Sequence, residues 1–209
     1  KINDEGEKVK ALSRKSIRVL TYIIYPLMTG LLVVAEPLTI FLYTEKWIAM
    51  VPFVWVVCIE AIFSVPGTIT LQSVKAMGYS DKMLKAEIFK KPILILSIII
   101  AMQYGVMAIA LTLPLNTLLE FVINGVMAHK TVDYSIREQL WDCLPATIMS
   151  VLMGAGVLLV AHLPLGLGTI ALLFVEILVG IVIYVLLSVI TRNEEFMALA
   201  SMAKQYLKR

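Results

Sequence analysis

Apolar runs of about twenty residues alternate along this chain with short polar stretches rich in lysine. A run of that length crosses the hydrocarbon of a bilayer as a helix. The pattern predicts an all-α, polytopic transmembrane helix bundle with six spanning helices and short interfacial helices. The spans fall near Ile17–Val34, Val51–Leu71, Leu84–Met102, Val106–Met127, Leu144–Leu163 and Thr169–Ile190. The third is the least regular, because Pro92–Met102 alone is too short to cross. It reaches spanning length with Lys85, Lys90 and Lys91 snorkelling from its first turns. A rival parse makes Pro92–Leu113 one span and Leu115–Met127 a short returning one.

The polar stretches carry their own signals. Lys1–Lys15 reads as an interfacial helix leading into the first span. Ala35–Met50 contains an apolar piece too short to cross, with Glu36, Glu45 and Lys46 holding it at the surface. Tyr43 and Trp47 are the amphipathic rings expected at headgroup level. Gly78-Tyr79-Ser80-Asp81 has turn composition, and Ser80 or Asp81 is placed to cap the next helix. Ser135-x-x-Glu138 fits a capping box opening an amphipathic helix toward Trp141. Leu163–Gly168 reads as a tight turn. Thr191-x-x-Glu194 fits a second box, opening an amphipathic tail through Phe196, Leu199, Met202 and Tyr206. Pro26 and Pro114 predict bends in their spans, and Pro66-Gly67 predicts a break in the second.

Charge fixes the orientation. Seventeen of the eighteen Lys and Arg residues fall on one side of this threading, leaving only Lys46 on the other. That bias makes the lysine-rich face cytoplasmic, with both ends of the chain on it. Composition agrees: 60% of residues are hydrophobic, 16% are charged, and mean hydropathy is +0.90. A soluble domain carries about a quarter charged residues. The net charge of +3 lies in short loops and is no nucleic-acid signal. Cys58 and Cys143 are far apart in apolar runs and read as buried free thiols. Residue 1 is Lys, and the expectation is a fragment of a longer protein.

Candidate chemistry is sparse. Glu60, Glu120 and Glu176 fall inside spans, where an ionisable group is costly and points to function. Such an acid serves either as a proton- or cation-coupling carboxylate facing a cavity or as a hydrogen-bonded link between helices. Asn116 and Asn124 lie four residues either side of Glu120, so the three are expected on one helix face. Lys75, Lys90 and Lys91 are candidate cations for a cytoplasmic mouth; as headgroup contacts they would only set topology. His129 and His162 sit at opposite interfaces and cannot share a metal. There is no G-x-S-x-G, HExxH or C-x-x-C, and the glycines form no nucleotide-binding pattern, so no catalytic residue, cofactor or metal site is expected.

Particular residues carry the reading further. Ser13–Val34 leads into Ala35-Glu36-Pro37-Leu38 and then Thr44-Glu45-Lys46-Trp47. This resembles the polysaccharide flippases of the multidrug/oligosaccharidyl-lipid/polysaccharide exporter superfamily, which often show A-E-P, an apolar stretch and G-E-K-W here. Lys75-Ala76-Met77-Gly78-Tyr79-Ser80-Asp81 is similar to the family's K-A-x-G-x-S-D, and Asn193-Glu194-Glu195-Phe196 also resembles it. Thr44 departs from the pattern, where glycine is usual, and Pro114 is a second departure.

The resemblance implies the last six helices of a two-lobe transporter of about fourteen, working by alternating access. Residues 1–130 would be the last four helices of the C-terminal lobe. Residues 131–209 would be an additional helix pair and a cytoplasmic tail. The implied location is a bacterial cytoplasmic membrane. The implied partners are membrane lipid, an N-terminal lobe outside this chain, and an oligosaccharide linked to undecaprenyl diphosphate, flipped for lipopolysaccharide or exopolysaccharide synthesis. The N-terminal lobe would supply the buried cations that a diphosphate needs. A multidrug or organic-cation exporter of the same superfamily and a non-transporting membrane scaffold are the alternatives. An enzyme acting on isoprenoid phosphates would need paired aspartates for Mg²⁺, and Asp81, Asp133 and Asp142 are isolated in the sequence.

Overall fold

A computed structural model describes residues 2–164, 166 and 168–197. Long helices follow one another: α1 (Ile2–Val33), α2 (Ala35–Tyr43), α3 (Val51–Ala76), α4 (Ser80–Ala101), α5 (Val106–Val132), α6 (Ile136–Ala161) and α7 (Thr169–Ile190). Short 3-10 turns at Glu45–Met50 and Met102–Tyr104 precede α3 and α5. Among the described residues, five helical stretches are long and apolar enough to cross a membrane: Glu5–Val33, Glu45–Ala76, Val106–Val132, Ile136–Ala161 and Thr169–Ile190. Helix α4 is the exception, because its first half carries Asp81, Lys82, Lys85, Glu87, Lys90 and Lys91.

The bundle is apolar on its outside, and its buried polar side chains are gathered among apolar ones within. On α7 the inward face is Leu173, Glu176, Gly180, Tyr184 and Ser188, while Phe174, Leu178, Ile181, Val185 and Val189 face outward. Such a distribution suits lipid as solvent, since a water-soluble protein of this size rarely leaves so broad an apolar surface.

Helix α1 is the hub, packing on α3 and α6, while α3 packs on α5 and α7 on α6. Two of its contacts answer a backbone problem set by proline. Pro26 has no N–H to give the carbonyl of Tyr22, and Pro66 has none for the carbonyl of Ile62. In hydrocarbon those oxygens need another donor. The Tyr184 hydroxyl of α7 donates to Tyr22 O at 2.7 Å, and the Tyr25 hydroxyl of α1 donates to Ile62 O at 2.8 Å. Helix α3 therefore runs through Pro66-Gly67 without the predicted break. Small residues draw the helices together elsewhere: a Cβ on Gly154 would lie 2.8 Å from Thr29 Cγ2.

The charged end of α1 is pinned to α6. Asp142, with a side chain 1% exposed, accepts from Arg14 Nε (2.9 Å) and Nη2 (3.0 Å), and from Arg18 Nε (2.9 Å) and Nη2 (2.7 Å). The Tyr134 hydroxyl adds a fifth bond at 2.8 Å. Burial, then this bond to the Asp142 carboxylate, pushes the phenol above its ordinary pKa, so it stays a donor. Lys10 pairs with Glu138 at 2.9 Å, and a buried Thr70–Gln139 bond at 2.9 Å ties α3 to the same end.

Local signals fared unevenly. The Ser135 box forms: Glu138 N donates to Ser135 Oγ at 3.3 Å, and Ser135 N donates to Glu138 Oε2 at 2.9 Å. Gly78, at φ 79°, closes α3 in a Schellman arrangement, with Gly78 N to Lys75 O at 3.0 Å and Tyr79 N to Val74 O at 3.4 Å. Four expectations are corrected. Lys1–Lys15 is no separate interfacial helix, since α1 runs on from Ile2. Neither Ser80 nor Asp81 caps α4, because the N-cap position is Tyr79 and no side chain bonds there among the described residues. Thr191 forms no box: its hydroxyl bonds Leu187 O at 2.7 Å at the end of α7, and Asn193 Oδ1 accepts from Phe196 N at 3.0 Å instead. The rival parse fails at the turn after Ala101, which ends α4 before Leu113. The tail beyond Met197, with Leu199, Met202 and Tyr206, lies outside the described residues.

Two measurements check this packing. Asp142→Ala leaves two guanidinium groups facing each other without their shared anion. It should cost about 3 kcal/mol of stability, read as earlier heat exposure of the buried Cys58 and Cys143 thiols to a thiol-reactive dye. Thr44 holds φ 73° and ψ 168°, a region that suits glycine and strains a β-branched residue. Thr44→Gly should raise the melting temperature, through about 1 kcal/mol of relieved strain.

Candidate functional site between helices three and five

Helices α3 and α5 approach closely where α3 has no side chain. A Cβ on Gly67 would sit 3.5 Å from the Cα of Phe121. On one side of that contact the helices diverge around a cavity of about 80 Å³. Its polar lining is Glu60, Ser64 and Thr68 from α3 and Thr117, Glu120 and Asn124 from α5. That volume holds a few waters or one partly hydrated ion.

Each polar group is held differently. Glu60 is half-buried and accepts from the Thr117 hydroxyl at 3.0 Å. Glu120 is exposed at the cavity edge. Asn124 is 2% exposed; its amide donates to Gly67 O at 3.3 Å, and its Oδ1 has no hydrogen-bond partner among the described residues. A buried acceptor without a donor is costly. It also leaves one oxygen ready for water, a proton donor or a cation. Carboxylates, hydroxyls and an amide gathered in this way can bind a small polar species and balance its charge.

Of the residues singled out from sequence, Glu60, Glu120 and Asn124 come together here. Asn116 does not. Its amide donates to Ser97 Oγ of α4 at 2.9 Å and to Thr112 O at 2.7 Å, which corrects the single face expected for the three. Each step of four residues overshoots a helical turn by about 40°, so two steps move Asn116 and Asn124 about 80° apart. Glu176 is elsewhere, buried on α7, with Oε2 unpartnered among the described residues. Lys75 and Lys91 are exposed, whereas Lys90 is 4% exposed and paired with Glu87. His129 lies 3.6 Å from Asp133, and His162 Nδ1 lies 2.8 Å from Leu158 O. Among the described residues no group of His, Cys, Asp and Glu is arranged to hold a metal.

Sequence reading missed the Arg14–Arg18–Asp142–Tyr134 cluster. Its only trace was the spacing of Arg14 and Arg18, four apart and so on one face of α1. The anion that joins them lies more than a hundred residues away.

Fold and site define a polytopic helical membrane protein with an acid-lined cavity between two of its helices. Residues 1–52 match a family of polysaccharide biosynthesis proteins. The lipopolysaccharide biosynthesis protein WzxC of Escherichia coli (strain K12) is 28% identical over 129 residues, 62% of this chain and 26% of that protein. Over these stretches the chain is similar to polysaccharide-biosynthesis proteins. The chain matches about a quarter of the length of that relative. No solved structure matches it.

Proposed function

We propose that this chain is part of a flippase that moves a lipid-linked oligosaccharide from the cytoplasmic to the outer leaflet for polysaccharide synthesis. The observation that carries this reading is the α3–α5 cavity. A transporter needs polar groups that face neither lipid nor a sealed core, and Glu60, Glu120 and Asn124 line such a space. Their role is coupling: a proton or cation taken up beside Glu60 and Glu120 changes how α3 and α5 pack. Similarity of residues 1–52 to polysaccharide-biosynthesis proteins, and of a longer stretch to WzxC, supports the cargo class.

In this reading α4 is the sixth span, its first turns snorkelling into the cytoplasmic interface, and both chain ends are cytoplasmic in a bacterial inner membrane. The carrier is undecaprenyl diphosphate. Lys75 and Lys91 form part of a cytoplasmic mouth for its phosphates, and Lys90 is balanced by Glu87. An N-terminal lobe closes the path and brings the buried cations. Residues 1–130 complete the C-terminal lobe, and residues 131–209 form the added helix pair and tail. A second reading, export of organic cations, draws on the same two acids, which would attract such a substrate directly. The K-A-x-G-x-S-D loop favours the polysaccharide cargo.

Two experiments test this. Cysteines placed at Lys46 and Lys82 should react with an impermeant thiol reagent from opposite sides of the membrane; labelling from one side would end the six-span threading. In the intact protein, Glu120→Gln should reduce surface polysaccharide at least tenfold while leaving the protein in the membrane. Undiminished export would make Glu120 structural and remove the cavity from the mechanism.

A further inference from the structure

A second concavity, outside the coupling cavity, opens at the end of the bundle where the cationic ends of the helices meet. It is a groove of about 530 Å³ with walls of opposite charge. One wall is α1, with Arg14, Lys15 and Arg18 above Ala11 and Val19. The other is the helical segment that follows the turn after α7, with Glu194 and Glu195.

The arginines are only partly committed to Asp142. Each turns its Nε–Nη2 edge to that carboxylate and leaves its side chain about two-fifths exposed, 38% for Arg14 and 41% for Arg18. Asp142 balances one of the three cations on the α1 wall, leaving about two positive charges against the two carboxylates opposite. The walls do not close on each other: no ion pair within 4.0 Å joins Glu194 or Glu195 to α1 among the described residues. Opposite charges that face one groove of about 530 Å³ without pairing leave a phosphate on one wall and an ammonium on the other without competing demands. A simple anion would meet the glutamates, and a simple cation would meet the arginines.

We infer that this groove binds the headgroup of phosphatidylethanolamine, its phosphate on Arg14, Lys15 and Arg18 and its ammonium on Glu194 and Glu195. Bidentate guanidinium geometry suits the phosphate oxygens, and a primary ammonium can donate to both carboxylates. Phosphatidylcholine has the same charges but no N–H donors, and phosphatidylglycerol has the phosphate without the ammonium. The groove therefore ranks phosphatidylethanolamine above both. The apolar outer surface of the bundle is the natural path for the acyl chains.

The test is lipid retention. The full chain is reconstituted in nanodiscs with equal parts phosphatidylethanolamine, phosphatidylglycerol and phosphatidylcholine. It is then released into mild detergent, and the lipids left on it are counted by native mass spectrometry. Phosphatidylethanolamine should be retained at least fivefold over either competitor. The double variant Glu194→Gln/Glu195→Gln should lose that preference and retain phosphatidylglycerol instead, and Lys15→Gln should weaken retention of all three. None of these substitutions touches Asp142 or its partners, so the pin between α1 and α6 stays intact. Equal or greater retention of phosphatidylglycerol by the unaltered chain would overturn the inference. So would a phosphatidylethanolamine preference that survives the double variant, or loss of all lipid from it.

Discussion

A backbone carbonyl stripped of its helical donor needs another donor in hydrocarbon, and a neighbouring helix can supply it. That need is met twice at the hub of this bundle. Pro26 and Pro66 each free a carbonyl, and each is answered by a tyrosine hydroxyl from a neighbouring helix. One donor, Tyr184, lies on α7 and reaches α1; the other, Tyr25, lies on α1 and reaches α3. The two prolines thus become attachment points instead of breaks. With the carboxylate of Asp142 gripping both arginines of α1, three helices are fastened to one. The tie to α6 is ionic and sits at the charged end of the bundle. The ties to α3 and α7 are neutral and lie deeper, where an unpaired charge would be most costly.

The candidate site takes its position from this frame. Helix α3 is fixed to α1 along one face, and its other face, around Gly67, meets α5. The cavity with Glu60 and Glu120 lies on that far side, away from the hub. Helix α4 is attached more lightly, chiefly to α5, and Asn116–Ser97 is its one side-chain hydrogen bond to α5 among the described residues. The α3–α5 interface is thus bordered by a firm frame on one side and a lightly held helix on the other. That arrangement suits a cavity whose occupancy alters packing.

Much of this was legible because membrane helices obey local rules. The lengths of the apolar runs located α3, α5 and α7 closely, and Ser135-x-x-Glu138 gave the start of α6. The glycine of K-A-x-G became the left-handed residue that ends α3. The departure at Thr44 falls where the chain takes a positive φ, a region that suits glycine. The errors have two causes, one within a helix and one between helices. Thr191 matched a capping box, but it sits at the end of α7, and its hydroxyl is spent on the preceding turn. Pro66-Gly67 matched a helix break, but Tyr25 and a close Phe121 backbone sustain the helix. Asp142 looked isolated because its partners are on α1. Spacing reveals which residues share a face of one helix; it does not reveal what lies across from that face. Glu60, Glu120 and Asn124 were found because each is polar in an apolar run, whereas their convergence on one cavity needed the packing of α3 on α5.

Translocation by the purified protein tests the central claim most directly. The intact polypeptide is placed in vesicles whose inner leaflet holds a short undecaprenyl-diphosphate-linked oligosaccharide bearing a fluorophore on its sugar. An impermeant quencher is then added outside. If this bundle belongs to a flippase, fluorescence should fall beyond the fraction quenched in protein-free vesicles, and should do so more slowly with Glu120→Gln. Equal quenching with and without folded protein would contradict the account and leave the bundle as a membrane scaffold.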